Sequence, residues 1–465
     1  MKISRLTPVR GTQDCANASL DVPAHRTSPA IATHPLYQQW AEVAATVPVS
    51  PHCHTMAKPS GSVCNLDCTY CFYLEKEKLY PERQKNWRMD DATLTRYIHQ
   101  HIDAQQGAEV VFAWQGGEPT LLGTAFYRRA FALQQAYADQ RFHATGQRKQ
   151  IINTFQTNGV LIDDEWAQLF AEHQVLVGIS IDGPRELHDH YRVKRNGQPS
   201  FDLVMRGIAA LHRHRVRFNT LTVVNDVNGD QPEAVYEFLV SIGSDFLQFI
   251  PLVERVQTEG TDQDTEHDEA LRLVLPDDPK ASVTPWSVGP AQFGDFLNRV
   301  FDIWVTRDVG KVFVQLFDSA LATQLGYPAT LCSHAPRCGS NFALEANGDV
   351  YVCDHYVYPA HYLGNIHHTT LNAIKAGLPN RAFGVAKQLS LSQQCRQCAW
   401  LHACQGGCPK HRFVFDRNNE NPLHYLCPSY HQFFSHTAPK IREMAGFLLR
   451  GKPANLVMNS ALITN

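Results

Sequence analysis

The sequence predicts an α/β protein: an open, partial barrel of six strand–helix units, (β/α)6, followed by a cysteine-rich domain. Three observations predict it. Between about residues 48 and 255, short apolar runs alternate with longer amphipathic stretches. The connections are long enough for helical crossovers, which implies parallel strands joined by right-handed βαβ units. After about residue 327 the texture changes to cysteine-rich, loop-dominated sequence with short hairpins. Six units fall short of the eight that close a full barrel, and the site of such a fold is expected at the carboxyl ends of its strands.

Residues 1–47, rich in Ala, Thr, Pro and Ser without sustained periodicity, read as a poorly ordered extension with one short helix near 37–46. Strands are expected at 54–57, 110–114, 151–157, 176–181, 219–224 and 246–251. Between them, DDATLTRYIHQHIDAQ and DDEWAQLFAEHQ repeat apolar residues three and four apart, as helices packed on a sheet require. Residues 254–285 form an acidic, weakly patterned insertion, either a loop over the barrel mouth or solvated decoration. In 292–305, Phe293, Phe296, Leu297, Val300, Phe301 and Trp304 fall on one helical face and read as core. The expected domains are a barrel over 48–310, a cysteine-rich domain over 311–450 ending in an amphipathic segment at 433–449, and a tail over 451–465.

A net charge of −3 over 465 residues argues against a general nucleic-acid or membrane-surface binder. No apolar run is long enough to span a membrane, and the charged N-terminus lacks the apolar centre of a secretory signal, so a cytosolic location is expected. Thirteen cysteines in a reducing compartment point to metal or redox chemistry rather than to disulfides. Eleven of them fall in two clusters, and the outliers Cys15 and Cys53 read as unliganded thiols.

The first cluster is CNLDCTYCFY, with Cys64, Cys68 and Cys71 on one short loop. Three thiolates suffice for three irons of a cubane and leave the fourth open to a small chelating molecule. The alternative is a zinc site completed by a distant residue such as His52 or His54, although zinc loops usually show two cysteine pairs. The spacing C-x3-C-x2-C directly after the first strand, with Tyr70 inside it, resembles the radical S-adenosylmethionine enzymes. That resemblance implies that the amino and carboxylate groups of S-adenosylmethionine bind the open iron, and it places Tyr70 among the residues that bind the cofactor. It also gives roles to WQGGEPT, with Gly117 against the methionine amino group and Glu118 supporting, and to SIDGP and HDHYRVKRNG, whose Ser180 and Arg192 contact the same molecule. QFIPL places Leu252 against the adenine, and QTNG (156–159) reads as a strand-ending turn near the mouth.

The second cluster reads Cys332-x5-Cys338, Cys353, Cys395-x2-Cys398-x5-Cys404-x3-Cys408 and Cys427. Eight thiolates suit two fully ligated clusters or two structural zincs. With the hairpin GDVYVCD, the pattern looks like the SPASM extension of radical enzymes that modify peptides. By that resemblance Cys332, Cys338, Cys353 and Cys408 hold one 4Fe-4S cluster, and Cys395, Cys398, Cys404 and Cys427 hold another. Asp354 directly follows a ligand and is expected to act as a general base, against the plainer role of a carboxylate supporting the metal site.

From about residue 55 to 434 the chain resembles the anaerobic sulfatase-maturating enzymes. The resemblance implies three 4Fe-4S clusters, S-adenosylmethionine, and oxidation of a Cys or Ser in a sulfatase Cys/Ser-x-Pro/Ala-x-Arg motif to Cα-formylglycine. A 5′-deoxyadenosyl radical removes hydrogen from the target Cβ, Asp354 takes the thiol or hydroxyl proton, and an auxiliary cluster takes the second electron. An electron donor such as flavodoxin or ferredoxin is expected, and neither nucleic acid nor membrane. Two rivals stand beside this reading: a radical enzyme forming a thioether or other crosslink in a ribosomal peptide, and a non-catalytic iron–sulfur or zinc protein. Whether the target is Cys or Ser is not legible in the sequence.

Overall fold

A computed structural model of the chain describes residues 32, 34–51, 53–73, 80, 87–257, 281–415 and 421–460. Cys15, His52, most of the N-terminal extension, the centre of the acidic insertion and the last five residues lie outside the described residues. The expected strands form β1 (His54–Lys58), β2 (Glu109–Trp114), β3 (Gln150–Thr157), β4 (Leu176–Ser180), β5 (Phe218–Val224) and β6 (Phe246–Pro251). They lie side by side in that order, all parallel. Helices cross between them where the periodicity places them. Asp90 caps Asp91–Asp103 by accepting from the Thr93 N–H at 2.7 Å, and Asp163 caps Asp164–Glu172 by accepting from Trp166 at 3.1 Å.

The acidic insertion leaves and returns as an antiparallel ribbon, β7 (Arg255–Gln257) with β8 (Ala281–Val283). The sheet then grows at both edges in ways that the local pattern does not announce. β9 (Phe313–Val314) adds to β6, and the hairpin strands β10 (Asn341–Glu345), β11 (Asp349–Tyr351) and β12 (Tyr362–Asn365) continue from β1. β10 runs parallel to β1, while β11 and β12 follow antiparallel. One continuous sheet therefore joins the barrel to the first half of the cysteine-rich region. This brings Cys353, just past β11, close to the loop that leaves β1.

Helix Pro290–Arg307 buries all six residues of its expected apolar face. Phe293 and Phe301 meet Tyr430 and Phe433 of helix Cys427–Leu449 edge to face. That last helix starts six residues before the expected 433, because Pro428 is tolerated in a first turn, where its missing N–H has no helical partner anyway. Cys427 thus sits at its first position. The short helix Tyr37–Thr46 docks Trp40 and Ala44 on Ala382 and Val385 of helix Leu378–Leu389. Among the described residues, no helix is long and apolar enough to cross a membrane.

Candidate functional site

Cys64, Cys68 and Cys71 lie on the loop leaving the carboxyl end of β1, each partly buried. Cys64 lies within electrostatic reach of Cys71, and Cys68 within reach of both others. Burial pushes the Cys64 thiol up to about 12, with the Glu118 carboxylate adding to the effect, and raises Cys68 as well. Such thiols ionise only next to compensating positive charge, which a metal centre supplies. Asn158, in the strand-ending turn after β3, donates from Nδ2 to the Cys64 sulfur at 3.7 Å.

The GGEP turn packs directly on this loop. The Gly117 N–H donates to the Gly61 carbonyl at 2.7 Å, and a Cβ at Gly117 would come within 2.3 Å of the Ser62 and Val63 carbonyl oxygens. Only glycine permits that approach. Fully buried Glu118 accepts from Thr120 N–H and hydroxyl, the Thr157 hydroxyl and the Asn158 N–H, stitching the β2 loop to the end of β3. Burial raises its pKa, and these four donors oppose the rise.

Past β4, the side chain that organises the neighbourhood is Asp182, quoted within SIDGP but given no role by sequence reasoning. Its Oδ2 accepts from the Tyr70 hydroxyl at 2.5 Å and from Arg192 Nε at 2.8 Å, and its Oδ1 from the Val223 N–H at 3.0 Å. Burial alone would lower the Arg192 pKa, but Asp182, Tyr70 and Cys68 together hold it up. Nε is engaged, and among the described residues the terminal guanidinium nitrogens carry no hydrogen bond, so they remain for a ligand. Ser180 Oγ accepts from Gln156 Nε2 at 2.9 Å, leaving its own proton to donate.

His188 accepts from the Asp182 N–H and meets Ser200 Oγ at 3.0 Å. Burial, then the nearby Arg192 charge, lower its pKa from 6.5 to about 4. The unfolded chain therefore binds the extra proton first, and stability falls as pH drops from 6.5 towards 4. His188→Asn is expected to remove on the order of 3 kcal/mol of that acid sensitivity, read as a flatter urea midpoint against pH.

A cavity of about 250 Å³ runs from Tyr70, Cys71 and Leu252 to His355 and Cys408. It thus joins the first cysteine set to the second region. A smaller cavity of about 60 Å³ is lined by Cys395, Cys398, Cys404 and Cys427 together. Cys338 lies within electrostatic reach of Cys408 and Cys332, and Cys353 of Cys408 and Cys338. Burial pushes Cys338 and Cys404 up to about 12 and Cys427 to about 11. Among the described residues, no group of three His, Cys, Asp or Glu side chains is arranged to hold a single metal ion. A cubane makes a different demand, because its four thiolates sit on four separate irons. Sulfur-only donor sets, partly buried apart from the exposed Cys332, fit that group.

Asp354 forms an ion pair with Lys58, the final residue of β1, whose side chain is 3% exposed against 22% for the aspartate. Lys58 Nζ lies 3.7 Å over the Tyr73 ring, and Tyr73 donates to Glu345, the register partner of Lys58 on β10. Sequence reasoning missed Lys58. A lysine as the last residue of the first strand, at the barrel end where the cysteine loop begins, was the available signal.

Two domain descriptions match the chain: the Radical SAM superfamily over residues 59–239 and an iron–sulfur cluster-binding SPASM domain over 332–399. An open parallel barrel with a three-thiol loop at the end of its first strand, extended by a SPASM region, defines the radical S-adenosylmethionine class, and both domains imply 4Fe-4S clusters. The serine-type anaerobic sulfatase-maturating enzyme of Bacteroides thetaiotaomicron is 42% identical over 411 residues, 88% of this chain and 95% of that one. The cysteine-type enzyme of Clostridium novyi is 31% identical over 393 residues, 84% of this chain and 96% of its own. A solved structure of anSMEcpe with bound AdoMet and Cp18Cys peptide superposes with a TM-score of 0.70 at 31% identity, covering 84% of this chain and 98% of the other. The chain belongs to the anaerobic sulfatase-maturating enzymes.

Proposed function

We propose that the protein oxidises a Ser or Cys side chain of a sulfatase, within a Cys/Ser-x-Pro/Ala-x-Arg motif, to Cα-formylglycine. The observation that carries this reading is the single cavity on which Cys71, Leu252, His355 and Cys408 all open. It gives a peptide side chain one place in which to meet both a radical source and an electron acceptor. A 4Fe-4S cluster at Cys64, Cys68 and Cys71, when bound, supplies the electron that splits S-adenosylmethionine into methionine and a 5′-deoxyadenosyl radical.

The chain's own residues orient and protect that chemistry. The free nitrogens of Arg192 hold the methionine carboxylate, Ser180 donates to an oxygen of the same molecule, and Leu252 packs on the adenine. Gly117 contributes its carbonyl to the methionine amino group, because its N–H already serves the cysteine loop. Tyr70 acts at one remove, fixing Asp182 and so Arg192. Lys58 pairs with Asp354 at the seam of β1 and β10 and positions its carboxylate to accept the substrate's hydroxyl or thiol proton. Cys332, Cys338, Cys353 and Cys408 hold one auxiliary cluster, and Cys395, Cys398, Cys404 and Cys427 the other. The electron donor is a protein such as a flavodoxin or ferredoxin.

The more similar of the two relatives is the serine-type one, which favours a serine target. The test is anaerobic incubation with paired Ser and Cys motif peptides, followed by mass spectrometry before and after treatment with a hydrazine, which adds to the aldehyde of formylglycine but not to a closed ring. Formylglycine in the serine peptide supports the reading. A ring closed with loss of two hydrogens, or no product from either peptide, refutes it.

A further inference from the structure

Among the described residues, three buried cations of the cysteine-rich region, Lys375, Lys387 and Arg412, have no carboxylate partner, and the last two lie against the cysteine sets. Lys387 is 1% exposed and Arg412 8%. Lys387 Nζ donates to the carbonyls of Cys332 at 3.0 Å and Ser333 at 2.7 Å. Arg412 donates to the carbonyls of Gly406 at 2.8 Å, Gln405 at 2.9 Å, Gly407 at 3.3 Å and Lys387 at 2.7 Å, and to Ser390 Oγ at 3.3 Å. Every one of these acceptors is neutral. Among the described residues neither cation belongs to an ion pair, whereas Arg192 is matched by Asp182 and Lys410 by Glu254. Burying a charge without an opposite one is strongly unfavourable, so the countercharge must come from a group other than a carboxylate.

The anionic groups within reach are thiols. Those around Lys387 are Cys338, Cys408 and Cys332, all from one set of four. Arg412 reaches Cys395 of the other set as well as Cys338 and Cys408. It also shapes the peptide between the sets. Gln405, Gly406 and Gly407, which link Cys404 to Cys408, all have positive φ (50°, 70° and 66°), and the guanidinium gathers their three carbonyls. Arg412 is thus shared between the sets, while Lys387 serves only the first.

We propose that Lys387 and Arg412 are the built-in countercharges of the auxiliary clusters, and that Lys387 raises the reduction potential of the cluster at Cys332, Cys338, Cys353 and Cys408 above that of its neighbour, making it the electron acceptor. This rests on the cluster assignment proposed above. Adding an electron makes a cluster more negative, so a fixed nearby cation favours the reduced form. The electron balance closes. After one hydrogen atom leaves the target Cβ, the remaining carbon radical reaches the aldehyde or thioaldehyde level by losing one electron, to this cluster, and one proton, to Asp354.

The test is an EPR-monitored redox titration of the full-length chain carrying Cys64→Ala, Cys68→Ala and Cys71→Ala, so that only auxiliary signals remain. Two separate reduction waves are expected. Lys387→Gln, which keeps a donor but removes the charge, is expected to lower the reduced-to-oxidised ratio of the higher wave about tenfold at fixed potential, a shift of about 59 mV for one electron. Lys387→Arg should restore it, and the lower wave should move less. Coincident waves before the Lys387 substitution, or waves that Lys387→Gln leaves unmoved or moves together, overturn the inference. If Lys387→Gln fails to hold iron, the two-wave criterion alone decides. Iron counted before titration separates the cases: absence of both clusters defeats the assignment, and loaded clusters with equal potentials defeat only the inference.

Discussion

Cys68→Ala is expected to abolish S-adenosylmethionine cleavage altogether while lowering the iron content by one cluster of three. Cys68 sits at the centre of the triplet, within electrostatic reach of Cys64, Cys71 and Arg192. Two thiolates cannot carry a cubane that must also leave one iron open, so the loss falls on the whole cluster rather than on one bond. The eight auxiliary thiols belong to sets of their own. Cys395, Cys398, Cys404 and Cys427 line their own cavity, and Cys338 and Cys353 neighbour Cys408. Iron at those sites should therefore survive. Iron analysis together with chromatographic detection of 5′-deoxyadenosine checks the prediction, and a variant that still cleaves the cofactor would remove the triplet from its role.

Asp354→Asn is expected to lower formylglycine formation by about 10²–10⁴-fold, the usual contribution of a positioned general base, with iron content nearly unchanged. The amide keeps the shape beside Cys353 but cannot accept the substrate proton. It also leaves Lys58 buried without its anion. Removing one partner of a partly buried pair is destabilising, so the variant should melt earlier as well. Lys58→Met with Asp354→Asn separates the two effects, because the double substitution relieves the unpaired charge without returning a base. Recovered melting with turnover still lost assigns proton transfer to Asp354. Recovered turnover would make Asp354 only a structural partner of Lys58.

Much of the barrel was legible because apolar runs bounded by amphipathic helices mark its strands within a residue. The cysteines were legible for another reason: thiolate chemistry is local, and its spacing survives in a linear string. What the string hides is which distant strands become neighbours. That β10 lies beside β1 is decided by packing across nearly 300 residues, and it is this pairing that sets Lys58 against Asp354 and Glu345. Lys387 and Arg412 look like ordinary solvated charges in sequence, and only their burial against neutral carbonyls reveals otherwise. Gly117 shows the converse. A ligand contact explains its identity in the string, whereas the immediate constraint is the backbone of Ser62 and Val63 pressed against its Cα.

The most direct measurement uses a motif peptide deuterated at the Cβ of its Ser or Cys, incubated anaerobically with reduced, reconstituted enzyme and S-adenosylmethionine. The account predicts one deuterium in 5′-deoxyadenosine for each formylglycine formed. Unlabelled 5′-deoxyadenosine with both deuterium atoms retained in the peptide, or no cleavage under strong reduction, would contradict it.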